Sequence, residues 1–414
     1  MKNNITASLI GALTATFPTV TSVMMYNYVA DGYAFAFLMS CLAAFFLTKK
    51  KVSCIVVSVV LIALSSGIYQ AYITVTIMLL LLYLILEIIH NDADIKNILL
   101  NCLKFFATGV AGMVLYYIAM NVLLKLKSTA LLDYQGFDSA ASLESLDIAG
   151  SLYTIKESFV GYFFDFSNGI NLFCVINVVI FAVTVLLYVA DIIRNKLSIP
   201  KILMLVVFVV FLPIGASVLS FINSGIDYHN LMKMGFLVFY LFFVLQYEKS
   251  SFKNEKINCI KLWTILSVTT LLVCNNVIVA NVAYHKLNIA YEKSYGTLIR
   301  IADRIEQTEG ADECGRILVV GYLDGSEGYS AYLPPDITGT TDGYILRADD
   351  EMVGQSVVCS ALNDYCAKDY KFVYGEEKKA ILENDDVRNL VAWPDKNSIC
   401  IVDDVIVVKL GNQV

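Results

Sequence analysis

Long apolar stretches alternate with short polar connections over the first two thirds of the chain. A bilayer core about 30 Å thick is crossed by roughly 20 apolar residues in a helix. The stretches that approach this length lie at 5–26, 32–48, 52–67, 70–89, 99–123, 169–190, 201–222, 231–247 and 259–283. The second and third are short for a span, so their boundaries are approximate. The pattern predicts an α-helical polytopic membrane protein with about nine transmembrane helices.

Basic residues collect in every second connection, and short connections rich in Lys and Arg stay on the cytoplasmic side. The basic connections contain Lys49, Lys50 and Lys51, then Lys96, then Arg194, Lys196 and Lys201, and finally Lys249, Lys253, Lys256 and Lys261. The connections at 27–32, 65–70 and 223–227 contain no Lys or Arg. We therefore expect a multi-pass protein of the plasma membrane with a cytoplasmic N-terminus and an extracytoplasmic C-terminal domain.

The composition changes from apolar to ordinary soluble sequence near residue 284, which predicts a transmembrane domain at 1–283 and a C-terminal domain at 284–414. Apolar residues recur at helical spacing over 284–307 and predict an amphipathic stalk helix. A short apolar run at 317–322 predicts a strand, and two β-branched runs within 399–410 predict a hairpin. We expect a small α+β extracytoplasmic domain that is large enough for its own core.

The overall composition supports a membrane protein and excludes several other classes. The chain is 57% hydrophobic and 16% charged, which is too apolar for a water-soluble protein of this length. Its net charge of −7 and the absence of a concentrated basic face argue against nucleic acid as a partner. No phosphate-binding loop or G-x-S-x-G elbow is present, and His90, His229 and His285 are too scattered to suggest a metal cluster. We expect no metal and no cofactor.

Four of the ten cysteines fall in the predicted extracytoplasmic domain, where an oxidising compartment permits disulfides. They are Cys314, Cys359, Cys366 and Cys400. Four cysteines allow three pairings, and the sequence cannot choose among them. We favour Cys359 with Cys366, which would close a short loop.

Three polar segments occur at the predicted external face, where polar groups at membrane depth are candidates for a functional site. The first is a turn at 26–33 with a single carboxylate, Asp31, among tyrosines that include Tyr33. Asp31 could act as a general base, with Tyr33 beside the substrate. The alternative is a solvated turn within an interfacial aromatic belt.

The second segment, at 65–72, places small and polar residues between two apolar runs. The amide of Gln70 and the hydroxyls of Tyr69 and Tyr72 could hydrogen-bond a sugar. The alternative interpretation is close helix packing by small residues, followed by a loop.

The third segment, at 227–233, contains Asp227, His229 and Lys233 at the external entrance of the eighth span. A lysine in this position could bind a lipid phosphate as a point charge, with His229 beside the substrate. It could equally extend its ammonium group to the lipid headgroups.

These residues resemble a family of bacterial membrane glucosyltransferases, the type II group that modifies O-antigen. The segments that carry the resemblance are 17–21 with 26–33, 66–71, 229–232, 304–306 leading into 316–321, and 405–410. The resemblance covers nearly the whole chain in the right order. It implies a GT-C-like architecture and metal-independent transfer of glucose from a polyprenyl-phosphate-linked donor to a cell-surface glycan acceptor at the external face of the bilayer.

The chain departs from the family pattern near its start. Members resemble one another in a further N-terminal span and an external loop with paired acidic residues and a Gly-Arg element. No Asp-Asp pair occurs before Pro18 in this sequence, so we expect a shortened member that lacks this loop. No family residue can be carried onto Asp31, and its role follows from its location alone.

Two hypotheses therefore stand. In the first, the chain is a glucosyltransferase in which Asp31 deprotonates the acceptor, Lys233 holds the carrier phosphate, and Tyr69, Gln70 and His229 orient the sugar. In the second, it is a non-catalytic membrane protein that binds a lipid-linked sugar or serves as the partner subunit of a split transferase. A transporter is disfavoured, because no span shows the paired Gly and Pro breaks or the charged relays of one. The acceptor's identity stays open.

Overall fold

The computed structural model describes residues 4–91, 93–129, 147–166, 171–221, 228–323 and 351–412, without the side chains of 351–355. The chain divides into two compact units, Met1–Ala280 and Asn281–Val414. The first unit is helical, and the second combines helices with a small sheet.

The first unit is built from apolar helices joined by short connections. The helices are α1 (Asn4–Thr16), α2 (Pro18–Met24), α3 (Ala30–Leu47), α4 (Val52–Ile68), α5 (Ile73–His90), α6 (Ile95–Lys127), α7 (Ile148–Phe163), α8 (Leu172–Arg194), α9 (Ile199–Ala216), α10 (Leu237–Lys249) and α11 (Glu255–Glu306). Short 3₁₀ segments occur at Gln70–Tyr72, Val218–Phe221 and Asn230–Phe236. Local sequence sets several of the helix starts. Pro18 occupies the first turn of α2, where a missing N–H costs nothing, and the Asn171 side chain caps α8 by accepting from the Cys174 N–H at 2.8 Å.

Each of the nine predicted apolar stretches falls on a helix, although not all of these helices have the length of a span. Seven helical segments in the described part of the chain are long and apolar enough to cross a membrane. An eighth results if α1 and α2, bent by 46° at their junction, count as one. The remaining stretch, at 52–67, forms α4, which is apolar but has only 17 residues. The protein is therefore a multi-pass membrane protein, and the number of nine crossings stays a prediction.

The core of the first unit contains a group of aromatic side chains from elements that are distant in sequence. Phe17, Phe163, Phe236 and Tyr240 are fully buried. The rings of Phe163 and Phe236 stack with centroids 5.5 Å apart, and Phe17 meets Tyr240 edge to face at 6.2 Å. Such contacts add to the burial of large apolar surfaces, and they join α2, α7 and α10 to the 3₁₀ segment Asn230–Phe236.

Five polar residues form a second group, which we name the polar clamp. The Asp191 carboxylate is fully buried and accepts hydrogen bonds from Arg194 Nη2 at 2.7 Å and Ser250 Oγ at 2.8 Å. Its second oxygen lies 3.9 Å from His90 Nε2. Lys261 donates to the Ser250 carbonyl. A buried charge requires partners that pair with it and hydrogen-bond to it. Because these partners lie on different elements, the polar clamp joins the ends of α5, α8 and α10 to the first turns of α11.

The second unit is organised around a four-stranded sheet. Its elements are β1 (Arg316–Val320), α12 (Glu351–Cys366), β2 (Lys371–Phe372), α13 (Gly375–Leu382), α14 (Asp385–Arg388), β3 (Ile399–Val402) and β4 (Val405–Lys409). The strand order is β2-β1-β4-β3, with β1 parallel to both neighbours and β3 antiparallel to β4. The predicted hairpin is confirmed. Its turn places Asp403 at φ 57°, a left-handed conformation that aspartate tolerates better than most residues, and Asp404 at φ 135°.

Both faces of this sheet are covered, which explains why β4 reads as a continuous run of β-branched residues. One face, with Ile317 and Val408, packs in a cluster with Leu298 and Ile301 of α11 and Leu362 of α12. The other face packs on α13 and α14. The buried Leu298 and Ile301 confirm the predicted amphipathic face. The apolar stretch at 259–283 and the stalk form one helix of 52 residues.

The predicted disulfide between Cys359 and Cys366 is wrong. Both residues lie on α12, and seven residues of helix separate them by about 10 Å along its axis. A disulfide requires Cα atoms within about 7 Å. All ten cysteines are free thiols in the structure. In the second unit, burial raises the pKa of the Cys400 thiol to about 11.

Candidate functional site

Two of the polar segments that the sequence singled out, 65–72 and 227–233, meet at the 3₁₀ segment Asn230–Phe236. Helix α2 packs against it, and Thr19 Oγ1 donates to the Asn230 carbonyl at 2.7 Å. The segment Gln70–Tyr72 and the start of α5 pack on the same 3₁₀ segment. Gly235 approaches α5 closely, since a Cβ at this position would lie 2.8 Å from Thr74 Oγ1. Three stretches separated by up to 211 residues in sequence thus share one location.

Lys233 lies in this 3₁₀ segment, and its side chain is inside the helical unit. It is 4% exposed, and Nζ lies 5.6 Å from the ring centroid of Tyr162, which is itself buried. A cation over an aromatic face is stabilised by the ring quadrupole. The ammonium group is therefore held among helices rather than extended along the outside of the unit. An ionisable group at this depth is a hypothesis for a functional site.

Three of the predicted substrate-binding residues form a compact group, which we name the tyrosine cluster. Ring centroids lie 4.8 Å apart for Tyr33 and Tyr69, 5.4 Å for Tyr69 and Tyr72, and 6.2 Å for Tyr33 and Tyr72. Tyr33 comes from the first turn of α3, whereas Tyr69 precedes the segment Gln70–Tyr72 and Tyr72 ends it. Tyr72 is buried, and the rings of Tyr33 and Tyr69 are half-buried. The cluster thus presents two partly open aromatic rings beside the 3₁₀ segment that contains Lys233.

Gln70 is positioned by α6, because its Nε2 donates to Tyr116 Oη at 2.8 Å. An amide has two N–H donors and a carbonyl acceptor, so this single bond does not exhaust its capacity. The neighbouring Ser65 and Ser66 are buried and serve packing. Ser65 Oγ lies 2.8 Å from Ser40 Oγ. The serines therefore serve packing, and the sugar-binding role of Gln70 stays a prediction.

The two remaining candidates lie at the edges of the site. His229 is half-buried and directly precedes the 3₁₀ segment, whose start is anchored by Tyr228 Oη donating to the Ala216 carbonyl at 3.0 Å. Asp227 lies outside the described residues. Asp31 is exposed in the first turn of α3, and its Oδ1 accepts from the Gly32 N–H at 2.7 Å. The structure thus groups Tyr33, Tyr69 and Tyr72 by ring contact and packs the segment that contains Gln70 against the one that contains Lys233, with His229 directly before it. It places Asp31 at an exposed helix start, two residues before Tyr33.

Sequence reasoning missed α7, which supplies Tyr162. Asp147 caps this helix by accepting from the Gly150 N–H at 2.9 Å, and Ser151 Oγ donates to the Ser220 carbonyl at 2.8 Å. The signal was present, because Ile155, Phe159 and Tyr162 recur at helical spacing. These residues lie in the connection between the predicted spans at 99–123 and 169–190.

Two other features lie apart from this site. An open groove of about 630 Å³ follows one face of α11, and none of the seven candidates lines it. Its lining residues include Lys256, Ile260 and Trp263. In the part of the chain that the structure describes, no three His, Cys, Asp or Glu side chains are grouped to hold a metal ion.

The fold and the site define a multi-pass membrane protein with a buried lysine and an aromatic group inside its helical unit. The family model described as glucosyl transferase GtrII matches residues 1–246, more than half of the chain. The chain therefore belongs to this glucosyl transferase family, as the resemblance of its polar segments predicted. All seven candidate residues fall within the matched range. No curated protein and no solved structure shows a significant match to the chain.

Proposed function

We propose that the protein is a membrane glucosyltransferase that moves glucose from a polyprenyl-phosphate-linked donor to a cell-surface glycan at the extracytoplasmic face of the plasma membrane. The observation that carries this proposal is the family match over 1–246, since it contains every candidate residue. A lipid-linked donor would reside in the bilayer that the apolar helices occupy. The distribution of basic connections supports an external location for Asp31 and for the entrance to the 3₁₀ segment.

The proposed phosphate-binding residue is Lys233. Its ammonium group is almost fully buried, and low-dielectric surroundings strengthen its attraction to a phosphate compared with the same pair in water. Tyr162 restricts where the ammonium can lie. A lysine acts here as a point charge, which suits a single phosphate on a lipid carrier.

The proposed sugar-binding residues are the tyrosine cluster, Gln70 and His229, from segments that pack on or precede the 3₁₀ segment of Lys233. The partly open rings of Tyr33 and Tyr69 offer apolar faces to the C–H groups of a pyranose, with Tyr72 packed behind them. Gln70 and His229 offer hydrogen bonds to the sugar hydroxyls. Such groups on rigid elements restrict the orientation of the glucose, which is a large part of catalysis in a two-substrate reaction.

The reaction that fits these parts is a single displacement at the anomeric carbon. The acceptor hydroxyl oxygen attacks C1 of the glucose, and the bond between C1 and the phosphate oxygen breaks. The carrier phosphate leaves with the bonding electrons, and Lys233 stabilises its charge. Asp31 takes the proton of the acceptor hydroxyl as general base. One displacement inverts the configuration at C1, and the chemistry requires no metal.

The test is glucose transfer by the purified chain in nanodiscs, with labelled polyprenyl-phosphate-glucose and added cell-envelope glycan. We expect Lys233→Met to weaken donor affinity at least about tenfold, as the loss of a buried charge-assisted contact does. Lys49→Met is the matched control, because Lys49 also lies over an aromatic ring, 4.2 Å from the centroid of Phe45, but is exposed. Equal donor affinity in the Lys233→Met and Lys49→Met variants would show that Lys233 does not bind the donor.

The same assay tests the proposed base. We expect Asp31→Asn to lower kcat by about 10² to 10⁴, the usual contribution of a general base. Asp147→Asn is the matched control, because Asp147 is another exposed carboxylate at a helix start and asparagine caps equally well. Unchanged transfer in Asp31→Asn would exclude this role. Donor binding without any turnover by the wild-type chain would favour the non-catalytic hypothesis instead.

A further inference from the structure

Three tyrosines of the second unit form a group that the proposed reaction does not use. Tyr291 and Tyr295 lie one turn apart on α11, with ring planes 8° from parallel and centroids 6.1 Å apart. The ring of Tyr365 on α12 meets them edge to face, at 5.8 Å from Tyr291 and 5.9 Å from Tyr295. We name these three residues the aromatic platform.

The aromatic platform is open to solvent. Tyr291, Tyr295 and Tyr365 are 41%, 38% and 43% exposed, whereas Leu298 and Ile301 on another face of α11 are fully buried in the core of the unit. Single exposed aromatic residues are ordinary, but a contiguous exposed group marks a binding surface. The three rings also hold one another in place, so that little side-chain freedom is lost when a ligand binds.

Hydrogen-bonding groups lie directly beside the rings. Asn288 Nδ2 donates to Glu292 Oε1 at 2.9 Å, and both side chains are exposed. Asn288 precedes Tyr291 by three residues and Glu292 precedes Tyr295 by three, which places each polar group next to a ring on the helix surface. The surface therefore combines aromatic faces with an ordered amide and a carboxylate.

The charge of the second unit restricts what this surface can bind. Residues 281–414 contain 13 Lys and Arg against 23 Asp and Glu, a formal charge of −10. A strongly acidic unit repels nucleic acid, anionic lipid headgroups and acidic polysaccharides. A neutral ligand that has both an apolar face and hydroxyl groups fits the residues present.

We propose that the aromatic platform binds a pyranose ring of a neutral glycan. The C–H groups on one face of a pyranose carry partial positive charge and pack on the negative face of an aromatic ring, while its hydroxyls reach Asn288 and Glu292. This inference rests on the proposed function in one respect, namely that the bound glycan is the acceptor of the transferase. The platform holds the acceptor chain, and the transfer site in the first unit acts on it.

The experiment uses the full chain in nanodiscs and a panel of neutral hexaoses of glucose, mannose, galactose and rhamnose, with hexagalacturonate as the acidic counterpart. Saturation-transfer NMR measures binding. At least one neutral hexaose is expected to bind, and hexagalacturonate is expected not to bind. Tyr291→Ala and Tyr365→Ala should each weaken binding about tenfold, whereas Tyr291→Phe, which keeps the ring, should bind within about twofold of wild type.

Tyr374→Ala is the matched control, because Tyr374 is a more exposed tyrosine of the same unit that contacts Phe372 and lies outside the platform. The proposal is overturned if no neutral hexaose binds, if the two platform variants bind like wild type, or if Tyr374→Ala weakens binding equally. A preference for anionic vesicles over every sugar of the panel would also overturn it.

The transfer assay separates this inference from the proposed function. If the platform variants lose hexaose binding in a chain that transfers no glucose, the sugar site stands and the transferase proposal fails. If transfer proceeds and the platform variants leave the KM for envelope glycan unchanged, the transferase proposal stands and the platform has no role in holding the acceptor. We expect KM for the glycan to rise about tenfold, with donor affinity unaltered.

Discussion

Gly235 shows how a single residue controls the shape of the candidate site. The 3₁₀ segment Asn230–Phe236 approaches α5 so closely that a Cβ at Gly235 would lie 2.8 Å from Thr74 Oγ1 and 3.0 Å from Thr74 Cβ. Thr74 is itself fixed, because its hydroxyl donates to the Ala71 carbonyl at 2.7 Å. The neighbouring backbone therefore cannot yield by a simple side-chain rotation.

We accordingly expect Gly235→Ala to destabilise the protein by about 1–3 kcal/mol, the range for overpacking a tight contact, and to weaken donor binding by displacing Lys233. Gly109→Ala is the control, since a Cβ at Gly109 meets no atom within 4 Å and alanine favours helix. Thermal unfolding in one detergent, together with donor affinity, checks both variants. A Gly235→Ala protein as stable as Gly109→Ala would contradict the close contact.

Single residues were predictable where they broke an apolar pattern. Lys233 and Gln70 could be found because a polar group within apolar sequence is conspicuous, whatever the fold. The failure with Cys359 and Cys366 has the opposite cause, because loop closure was argued for residues that belong to one helix. The apolar residues of 351–366 that pack on the sheet, such as Leu362, would have indicated that helix.

At the scale of elements, α7 connects the core to the candidate site. Its residues Phe159, Tyr162 and Phe163 contact aromatic residues of α8, α10 and the 3₁₀ segment. Tyr162 also lies beneath Lys233. The helix therefore holds the proposed phosphate-binding lysine through the ring of Tyr162.

We expect Tyr162→Phe to bind the donor nearly as well as wild type, because the ring under Lys233 remains. Tyr162→Ala should weaken donor affinity about twofold to thirtyfold, since a cation–π contact contributes about 0.5–2 kcal/mol. Donor titration in nanodiscs, with a melting curve for each variant, distinguishes this effect from loss of folding. If both variants weaken binding alike, the hydroxyl rather than the ring is the relevant group.

The hairpin turn of the second unit gives a prediction about pH. Arg316 forms ion pairs with Asp404 and Glu377, and its Nε donates to Asp404 at 3.2 Å. These hydrogen bonds lower the pKa of the Asp404 carboxyl below its ordinary value of 3.8. The contribution to stability is therefore present above pH 3.8 and disappears as the pH falls through the lower pKa of the folded state.

Asp404→Asn should consequently lower the melting temperature of the second unit at pH 7. The decrease should be smaller at pH 3. Asparagine has nearly the size and shape of aspartate, so the substitution changes mainly the charge. Trp393 fluorescence in a Trp263→Phe background reports on the second unit alone, because the chain has two tryptophans. A difference that is the same at both pH values would exclude the ion pair as its source.

At the scale of the whole molecule, the number of crossings decides on which side the second unit lies. Helix α4 has 17 residues, about 25 Å of helix against a hydrocarbon core of about 30 Å. If α4 crosses, the basic connections all fall on one side and the C-terminus is outside. If it does not, every later connection changes side.

Fusions of alkaline phosphatase, which is active only outside the cytoplasm, test this point. We expect inactive enzyme after Lys51 and active enzyme after Gln70 and after Val414, because the bilayer can thin locally to accommodate a short helix. Fusions of a cytoplasmic fluorescent protein at the same positions serve as the reciprocal control. Inactive phosphatase after both Gln70 and Val414 would show that α4 does not cross.

The sequence predicted the positions of the helices well and the tertiary contacts between them poorly. Apolar length alone located each predicted stretch on a helix, and β-branched runs located the hairpin at Asp403. The convergence of Phe17, Phe163 and Phe236 was not predictable, because it depends on packing between elements that no local pattern records. A change from apolar to amphipathic sequence near residue 284 does not itself break a helix, and α11 continues through it.

The polar clamp bears on how the protein enters the membrane during synthesis. Ser250 and Lys261 belong to α10 and α11, which leave the ribosome after α8, so they cannot assist Asp191 when α8 is inserted. Arg194 lies one helical turn from Asp191 on the same helix, and its Nη2 donates to the carboxylate. Helix α8 therefore brings its own counter-ion into the bilayer, which lowers the cost of dehydrating the acid. The Asp191 carboxylate is therefore already paired with Arg194 before α10 and α11 are inserted.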